Sequence, residues 1–169
     1  MGQDRVCISV VSHMQVELVK NLLGDLTTHC ADSAEVILTL NAGERLPFGA
    51  RDFAYPLEVI RNDAPRGFGA NHNAAARLCT RPAFCVLNPD IRLTKNPFPL
   101  LLAELERNHC ALVAPRITDP AGRTEDSARR FPTAASLVAK ALGRAPALDY
   151  EIGSAASSPD WVAGMFMRF

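Results

Sequence analysis

Apolar and polar positions fall in blocks along this chain, and the period of each block predicts its element. Arg5 to Val11 (RVCISVV) is a β-branched run that meets Ser12 and His13, which predicts a buried strand with a polar exit. Val16, Val19, Leu22, Leu23 and Leu26 follow at helical spacing. Ala34 to Leu40 (AEVILTL) predicts a second strand, closed by Asn41-Ala42-Gly43, and LEVIR (57–61) a short third one. NDAPRGFGANHNAAARLC (62–79) turns through Pro65 and Gly67 into a helix starting near Ala70. Ala83 to Leu87 predicts a fourth strand. Pro97 through Asn108 predicts a helix with proline in its first turn and Leu101, Leu102 and Leu105 on one face. Beyond it, CALVAPRI (110–117) predicts a fifth strand, TDPAGRTED (118–126) a hairpin tip, and TAASLVAKALG (133–143) a short helix. Ala145 to Pro159 predicts a loose loop and WVAGMFMRF (161–169) one last strand.

Strands alternating with helices imply an α/β fold with a mostly parallel sheet flanked by helices. Such sheets bind ligands beyond the carboxyl ends of their strands. The polar residues gather there: Ser12 and His13, Asn41, Asn62 and Asp63, Asn88 and Asp90. In FCVLNPDIRL (84–93), Pro89 fits where the ladder stops. Asn88 and Asp90 then either face a cleft or simply form a turn; spacing leaves both open.

Composition narrows the class. Apolar residues make up 48% of the 169 residues, and 18 basic residues balance 18 acidic ones. That balance argues against binding nucleic acid or membrane through bulk charge. No stretch reaches the roughly 18 apolar residues of a membrane span, and the first residues do not read as a signal peptide. The five cysteines are scattered with no C-x-x-C pair, and Cys7, Cys85 and Cys110 sit in apolar runs. They predict core thiols in a reduced, cytoplasmic protein.

GFGANHN (67–73) begins like a dinucleotide fingerprint but has His72 at the third glycine position and follows the third strand, not the first. Its glycines still permit close backbone approach to a ligand, and the helix behind them offers amides to an anion. A capped loop is the competing reading.

Together, ISVVSH, NDAPRGFGANHNAAAR, VLNPDIRL and APRITDPAGRTEDSARRFPT with WVAGMFMRF resemble, in order, motifs of the inverting family-2 glycosyltransferases of GT-A (Rossmann-like) fold, especially a bacterial rhamnosyltransferase-like branch. The resemblance implies transfer of a sugar from a dTDP- or UDP-sugar to a saccharide or lipid-linked acceptor in surface-polysaccharide synthesis, in the cytoplasm or at the inner membrane face. It implies a Mg²⁺ or Mn²⁺ ion on Asp90, bridging the diphosphate, with Asn88 replacing the first acid of the family's common motif. Ser12, His13, Asn41, Asn71 and Asn73 would contact the sugar donor, with Asn41 where many members read the pyrimidine with Asp. Arg129, Arg130 and Trp161 would lie on the acceptor side, or be solvated charges and a core indole. His72 is ambiguous.

The resemblance also implies a single GT-A domain whose residues 1–93 form the sugar-donor half and 94–169 an incomplete acceptor half. The family's general base follows the Trp-x-x-Gly strand by tens of residues, beyond Phe169, so the chain resembles a truncated enzyme. Asp149, Glu151 and Asp160 are poorly placed to substitute. A domain that binds a nucleotide sugar without catalysis, or an inactive fragment, is therefore the alternative. Missing cover would expose Trp161, Val162, Met165, Phe166 and Met167 and favour self-association, unless a loop buried them.

Overall fold

A computed structural model describes residues 6–143, 149–150, 152–153 and 155–169. The predicted strand start at Arg5, much of the 145–159 loop and Glu151 lie outside the described residues. The chain divides into two compact units, 1–113 with 164–169, and 114–163.

The first unit contains β1 (Val6–Ser12), α1 (Val16–Cys30), β2 (Ala34–Leu40), a 3-10 turn (Ala50–Asp52) and β3 (Leu57–Arg61). It continues with α2 (Phe68–Leu78), β4 (Ala83–Leu87) and α3 (Phe98–Asn108). The second unit holds β5 (Ala128–Arg129), α4 (Ala134–Ala141) and β6 (Trp161–Val162); β7 (Phe166–Arg168) returns to the first. The main sheet runs β3-β2-β1-β4-β7, with the first four parallel and β7 antiparallel to β4. This is the mixed α/β architecture with a mostly parallel sheet that the alternation of elements predicts.

Burial explains why these segments are strands. Cys7 and Ile37 pack with Ala75 of α2, joined by Ile60, Cys79 and Phe84. Residues of the other parity, Ile8, Val10, Val36 and Leu38, are fully buried too. Because strand side chains alternate, both faces of the sheet are covered. On α1 the predicted stripe holds: Val19, Leu22, Leu23 and Leu26 are buried, while Val16 is half-buried. Arg168 of β7 is also buried; burial lowers its pKa, and its Nη1 donates to the Phe98 carbonyl at 2.7 Å, tying β7 to α3.

Two predicted strands are corrected. CALVAPRI forms no strand; only Val113 makes an isolated bridge, to Arg168, and Cys110 is exposed rather than in the core. Pro115 cannot donate to a ladder, and the chain leaves the first unit at Ala114. WVAGMFMRF is two short strands, not one, broken over Ala163-Gly164-Met165. Gly164 packs against Phe68 there: a Cβ would lie 2.8 Å from Cζ of the ring, which would have to shift. Phe166 is buried, which corrects its expected exposure; Val162, Met165 and Met167 are half-buried, and Trp161 is 38% exposed. The hairpin tip is present, with Thr118 bridging Thr124 and Asp119 bonded to the Ala121 and Arg123 amides.

Candidate functional site

Strand order places a cleft. The chain adds β2 and β3 on one side of β1, then crosses to put β4 on the other. Connections leaving the carboxyl ends of β1 and β4 therefore diverge, and this topological switch point is where open α/β sheets bind ligands. An open cleft of about 290 Å³ lies there, lined by His13 and Gln15 after β1, Asn41 after β2, Arg66, Phe68 and Asn71 around the start of α2, and Asn88 to Asp90 after β4.

Asn88-Pro89-Asp90-Ile91 is a turn closed by Ile91 N–H to the Asn88 carbonyl at 3.2 Å. Proline occupies the second position, where its fixed φ suits a turn. Asn88 N–H donates to Met165 at 2.9 Å, so β7 anchors the turn's entry. Its exit is anchored on α1: Asp25 takes two bonds from Arg92, at 2.7 and 2.9 Å, and one from Leu93 N–H. The Arg92 guanidinium holds the Asp25 carboxyl below its ordinary range. The two readings left open by spacing thus coexist: Asn-Pro-Asp is a turn, and it lines the cleft. Asp90 is exposed and makes no hydrogen bond or ion pair with the described residues.

Opposite that turn, Asn41 and Asn71, bridged by Asn62, clamp the backbone of Arg66. Asn41 Oδ1 accepts from Arg66 N–H and from Asn62 Nδ2, each at 2.8 Å. Asn41 Nδ2 donates to the Arg66 carbonyl at 3.0 Å and meets His13 Nδ1 at 3.2 Å. Asn62 Nδ2 also reaches Asn71 Oδ1 at 2.8 Å, and Asn71 Nδ2 returns to the Arg66 carbonyl at 3.2 Å. Every hydrogen-bonding position of the Asn41 amide is engaged within the protein. The Arg66 guanidinium, by contrast, is exposed at the cleft with no partner among the described residues.

Ser12 is buried, and its hydroxyl donates to Glu44 Oε2 at 2.7 Å. Glu44, also buried, accepts from Met14 N–H at 3.2 Å, where φ is +61°. This pair fixes the loop that presents His13. Asn71 is buried at the cleft, but Asn73 is exposed and not part of its wall. Residues two apart on a helix face different directions. The first bond of α2 runs from Asn71 N–H to the Gly67 carbonyl, leaving the amides of Phe68, Gly69 and Ala70 without a partner among the described residues.

His72 lies behind the cleft wall. It is buried, bonds Ser9 Oγ through Nδ1 at 2.8 Å, leaves Nε2 unpartnered, and meets Phe68 edge-on at 4.4 Å. Burial pushes its pKa down to about 4. In the unfolded chain imidazole titrates near 6.5. Between those values the unfolded state holds the additional proton, so stability is full above pH 6.5 and falls as pH drops toward 4. We expect a loss of about 2–3 kcal/mol across that window. His72→Gln keeps a hydrogen-bonding side chain that cannot titrate and should flatten the slope; equal slopes in denaturant titrations of both proteins would refute a buried neutral imidazole. Asp25, held low by Arg92, contributes stability above its unfolded pKa near 3.8 that is lost as pH falls below it, a separate window.

Arg129, Arg130 and Trp161 belong to the second unit. Arg129 pairs with Asp126 at 2.9 Å and sits 5.2 Å from the Trp161 ring centre. Trp161 Nε1 donates to the Arg130 carbonyl at 3.1 Å, and the Arg130 guanidinium lies over Tyr150. The Asp149 carboxylate accepts from Arg130 N–H at 3.0 Å and that of Asp160 from Phe131 N–H at 2.9 Å. Both carboxylates therefore cap this loop.

Sequence reasoning passed over Arg66, Phe68, Gln15 and Glu44. Arg66 stood inside a quoted motif; nothing in the sequence marked Glu44.

A family model described as Glycosyl transferase family 2 matches residues 10–152. No curated protein matches significantly by sequence. Among solved structures, S. aureus TarS 1-349 superposes with a TM-score of 0.60 at 14% identity, covering 75% of this chain and 41% of that one. The same protein in complex with UDP-GlcNAc gives 0.60 at 14%, over 70% and 36%. The mannosyltransferase PcManGT from Pyrobaculum calidifontis, in complex with GDP-Man and Mn²⁺, gives 0.49 at 18%, over 55% and 29%. This chain thus spans well under half the length of these structures. At such identities the likeness is one of fold.

Proposed function

The chain belongs to glycosyl transferase family 2, and from that premise we propose that its cleft binds a nucleotide-diphosphate sugar for transfer, with inversion, to a saccharide or lipid-linked acceptor. One observation carries the reading. The cleft at the β1–β4 switch point presents the unpaired Arg66 guanidinium and the free first-turn amides of α2 to an anion, with the Asp90 carboxylate facing the same space. A diphosphate bridged to a cation matches both signs of charge. TarS, of like fold, binds a UDP-sugar, which supports the same class of ligand. A UDP- or dTDP-sugar, a rhamnosyltransferase-like role in surface-polysaccharide synthesis, and a cytoplasmic site at the inner membrane face are our finer assignments. Residues 1–93 then supply the sugar-donor side, and Arg129, Arg130 and Trp161 belong to the acceptor side.

The residues fit a hard divalent ion in one way only. Among the described residues no three His, Cys, Asp or Glu side chains cluster, so these residues form no cage. Asp90, free of protein partners, would hold Mg²⁺ or Mn²⁺ together with the ligand's own phosphates. Once bound, the ion would neutralise the charge that develops on the departing diphosphate. Arg66 and the α2 amides would orient that diphosphate, and the asparagine clamp would keep Arg66 in place.

A second reading, binding without transfer, draws on the second unit. Asp149 and Asp160 are both committed to backbone amides, and inversion needs a free carboxylate to deprotonate the acceptor. Calorimetry with UDP, dTDP, GDP and a UDP-sugar tests the common premise. Arg66→Ala should weaken binding about tenfold, the loss of one charge-assisted hydrogen bond. Absence of millimolar or tighter binding by any of the four would refute both readings. Acceptor-dependent release of nucleotide diphosphate separates them.

A further inference from the structure

His13 stands between two anchored neighbours at the exit of β1. Ser12 Oγ donates to Glu44 Oε2 at 2.7 Å and Met14 N–H to Glu44 Oε1 at 3.2 Å, so one buried carboxylate holds the chain on both sides of it. Its side chain is held as well, and the partner decides where the ring carries its proton. Arg66 N–H can only donate, so the Asn41 atom it meets at 2.8 Å is the amide oxygen. The Arg66 carbonyl can only accept, so the atom facing it at 3.0 Å is the amide nitrogen. The Asn41 amide therefore has one orientation. Its nitrogen gives one hydrogen to that carbonyl and turns the other to His13 Nδ1 at 3.2 Å. An amide nitrogen does not accept, so Nδ1 must, and the neutral ring carries its proton on Nε2. Nε2 makes no hydrogen bond with the described residues, and His13 is exposed and lines the cleft.

The wall around His13 is uncharged. Among the residues lining the cleft only Arg66 and Asp90 carry a formal charge. A nucleotide that sets its phosphates against Arg66, the α2 amides and a cation on Asp90 leaves its neutral part, the base, for Val11, His13, Gln15 and Asn41. Asn41 has no hydrogen-bonding position to spare. The Gln15 amide turns to suit either a donor or an acceptor. His13 offers one group of fixed kind, an N–H.

We infer that His13 reads the base of the bound nucleotide, donating from Nε2–H to a carbonyl oxygen of the ring. The inference rests on the nucleotide-sugar reading of the cleft and names the group that recognises the base.

Two measurements on the full chain test it. Long-range proton–nitrogen spectra at about pH 8, where exposed imidazoles are neutral, report the tautomer without any ligand, and the His13 signals are those lost in His13→Ala. Nε2–H is expected. Calorimetry then compares UDP and dTDP with ADP, which keeps ribose and diphosphate but has no carbonyl on its base. His13→Ala should lower UDP and dTDP affinity about three- to tenfold, the worth of one neutral hydrogen bond, and leave ADP affinity unchanged. Should that substitution lower the melting temperature, His13→Gln is the second variant. Its amide accepts from Asn41 and still donates, so it should retain most of the UDP affinity. An equal loss for ADP would place the contact on ribose or phosphate and overturn the assignment. An Nδ1–H ring, or no loss in His13→Ala, in a protein that binds UDP would overturn this inference alone. Failure of the wild type to bind any nucleotide would overturn the reading on which it rests, whatever the tautomer.

Discussion

Asn41→Ala is expected to cost about 2–3 kcal/mol of stability and to weaken nucleotide-diphosphate binding at least about tenfold. The substitution removes the acceptor for Arg66 N–H and Asn62 Nδ2 together with the bond to the Arg66 carbonyl. Arg66 N–H then loses its partner and the Arg66 carbonyl keeps only Asn71 Nδ2, and water offsets only part of that loss because Asn41 is buried. The binding effect follows because the same bonds hold the Pro65-Arg66-Gly67 corner from which the guanidinium and α2 face the cleft.

Asn41→Asp separates clamp from charge. Aspartate keeps the accepting oxygen but replaces the donating nitrogen, 3.0 Å from the Arg66 carbonyl, with a second oxygen. Two acceptors at that distance repel, so Asp should be no better than Ala at neutral pH. Full stability and full nucleotide affinity in Asn41→Asp, by chemical denaturation and calorimetry, would show that the donated bonds contribute nothing. Aspartate is also the residue that the family resemblance places here to read a pyrimidine. In this chain the amide is saturated by protein groups, so we assign Asn41 to positioning the loop.

These details show where sequence was legible. β2, β3 and β4 were readable to the residue because each is a short strand-forming run bounded by turn residues, and β2 is buried along nearly all its length. The cleft's edges followed, since Asn41 and Asn88 are the first residues after β2 and β4, with Asp90 two further on. What failed depends on partners distant in sequence. CALVAPRI has strand composition, yet only Val113 finds a strand partner. The terminal run breaks at Ala163-Gly164-Met165, where the ring of Phe68, distant in sequence, lies against Gly164. Asn71 and Asn73 looked equivalent in the motif; helical geometry aims one at the cleft and the other at solvent. Glu44 was invisible because an acid in a loop gives no sign that it is buried against Ser12.

Asp90→Asn should reverse the sign of its effect with the metal. With Mn²⁺ present, the Asp90 carboxylate would help hold the cation against the diphosphate, so losing its charge should weaken UDP or dTDP binding by about tenfold or more, roughly 1.4 kcal/mol. With EDTA the carboxylate faces the diphosphate directly. Like charges repel across a cleft, so Asp90→Asn then binds as well as the wild type or better. A residue that merely builds the turn predicts otherwise. The turn is closed by Ile91 N–H and anchored at Met165 and Asp25, and none of these contacts uses the Asp90 side chain. Asparagine at this turn position should therefore leave the fold intact, and any change in affinity reports charge in the cleft. Calorimetric titration of wild type and Asp90→Asn, each with Mn²⁺ and with EDTA, gives the four constants required. Equal affinity in all four would remove Asp90 from the ligand site and leave Asn-Pro-Asp a turn and nothing more.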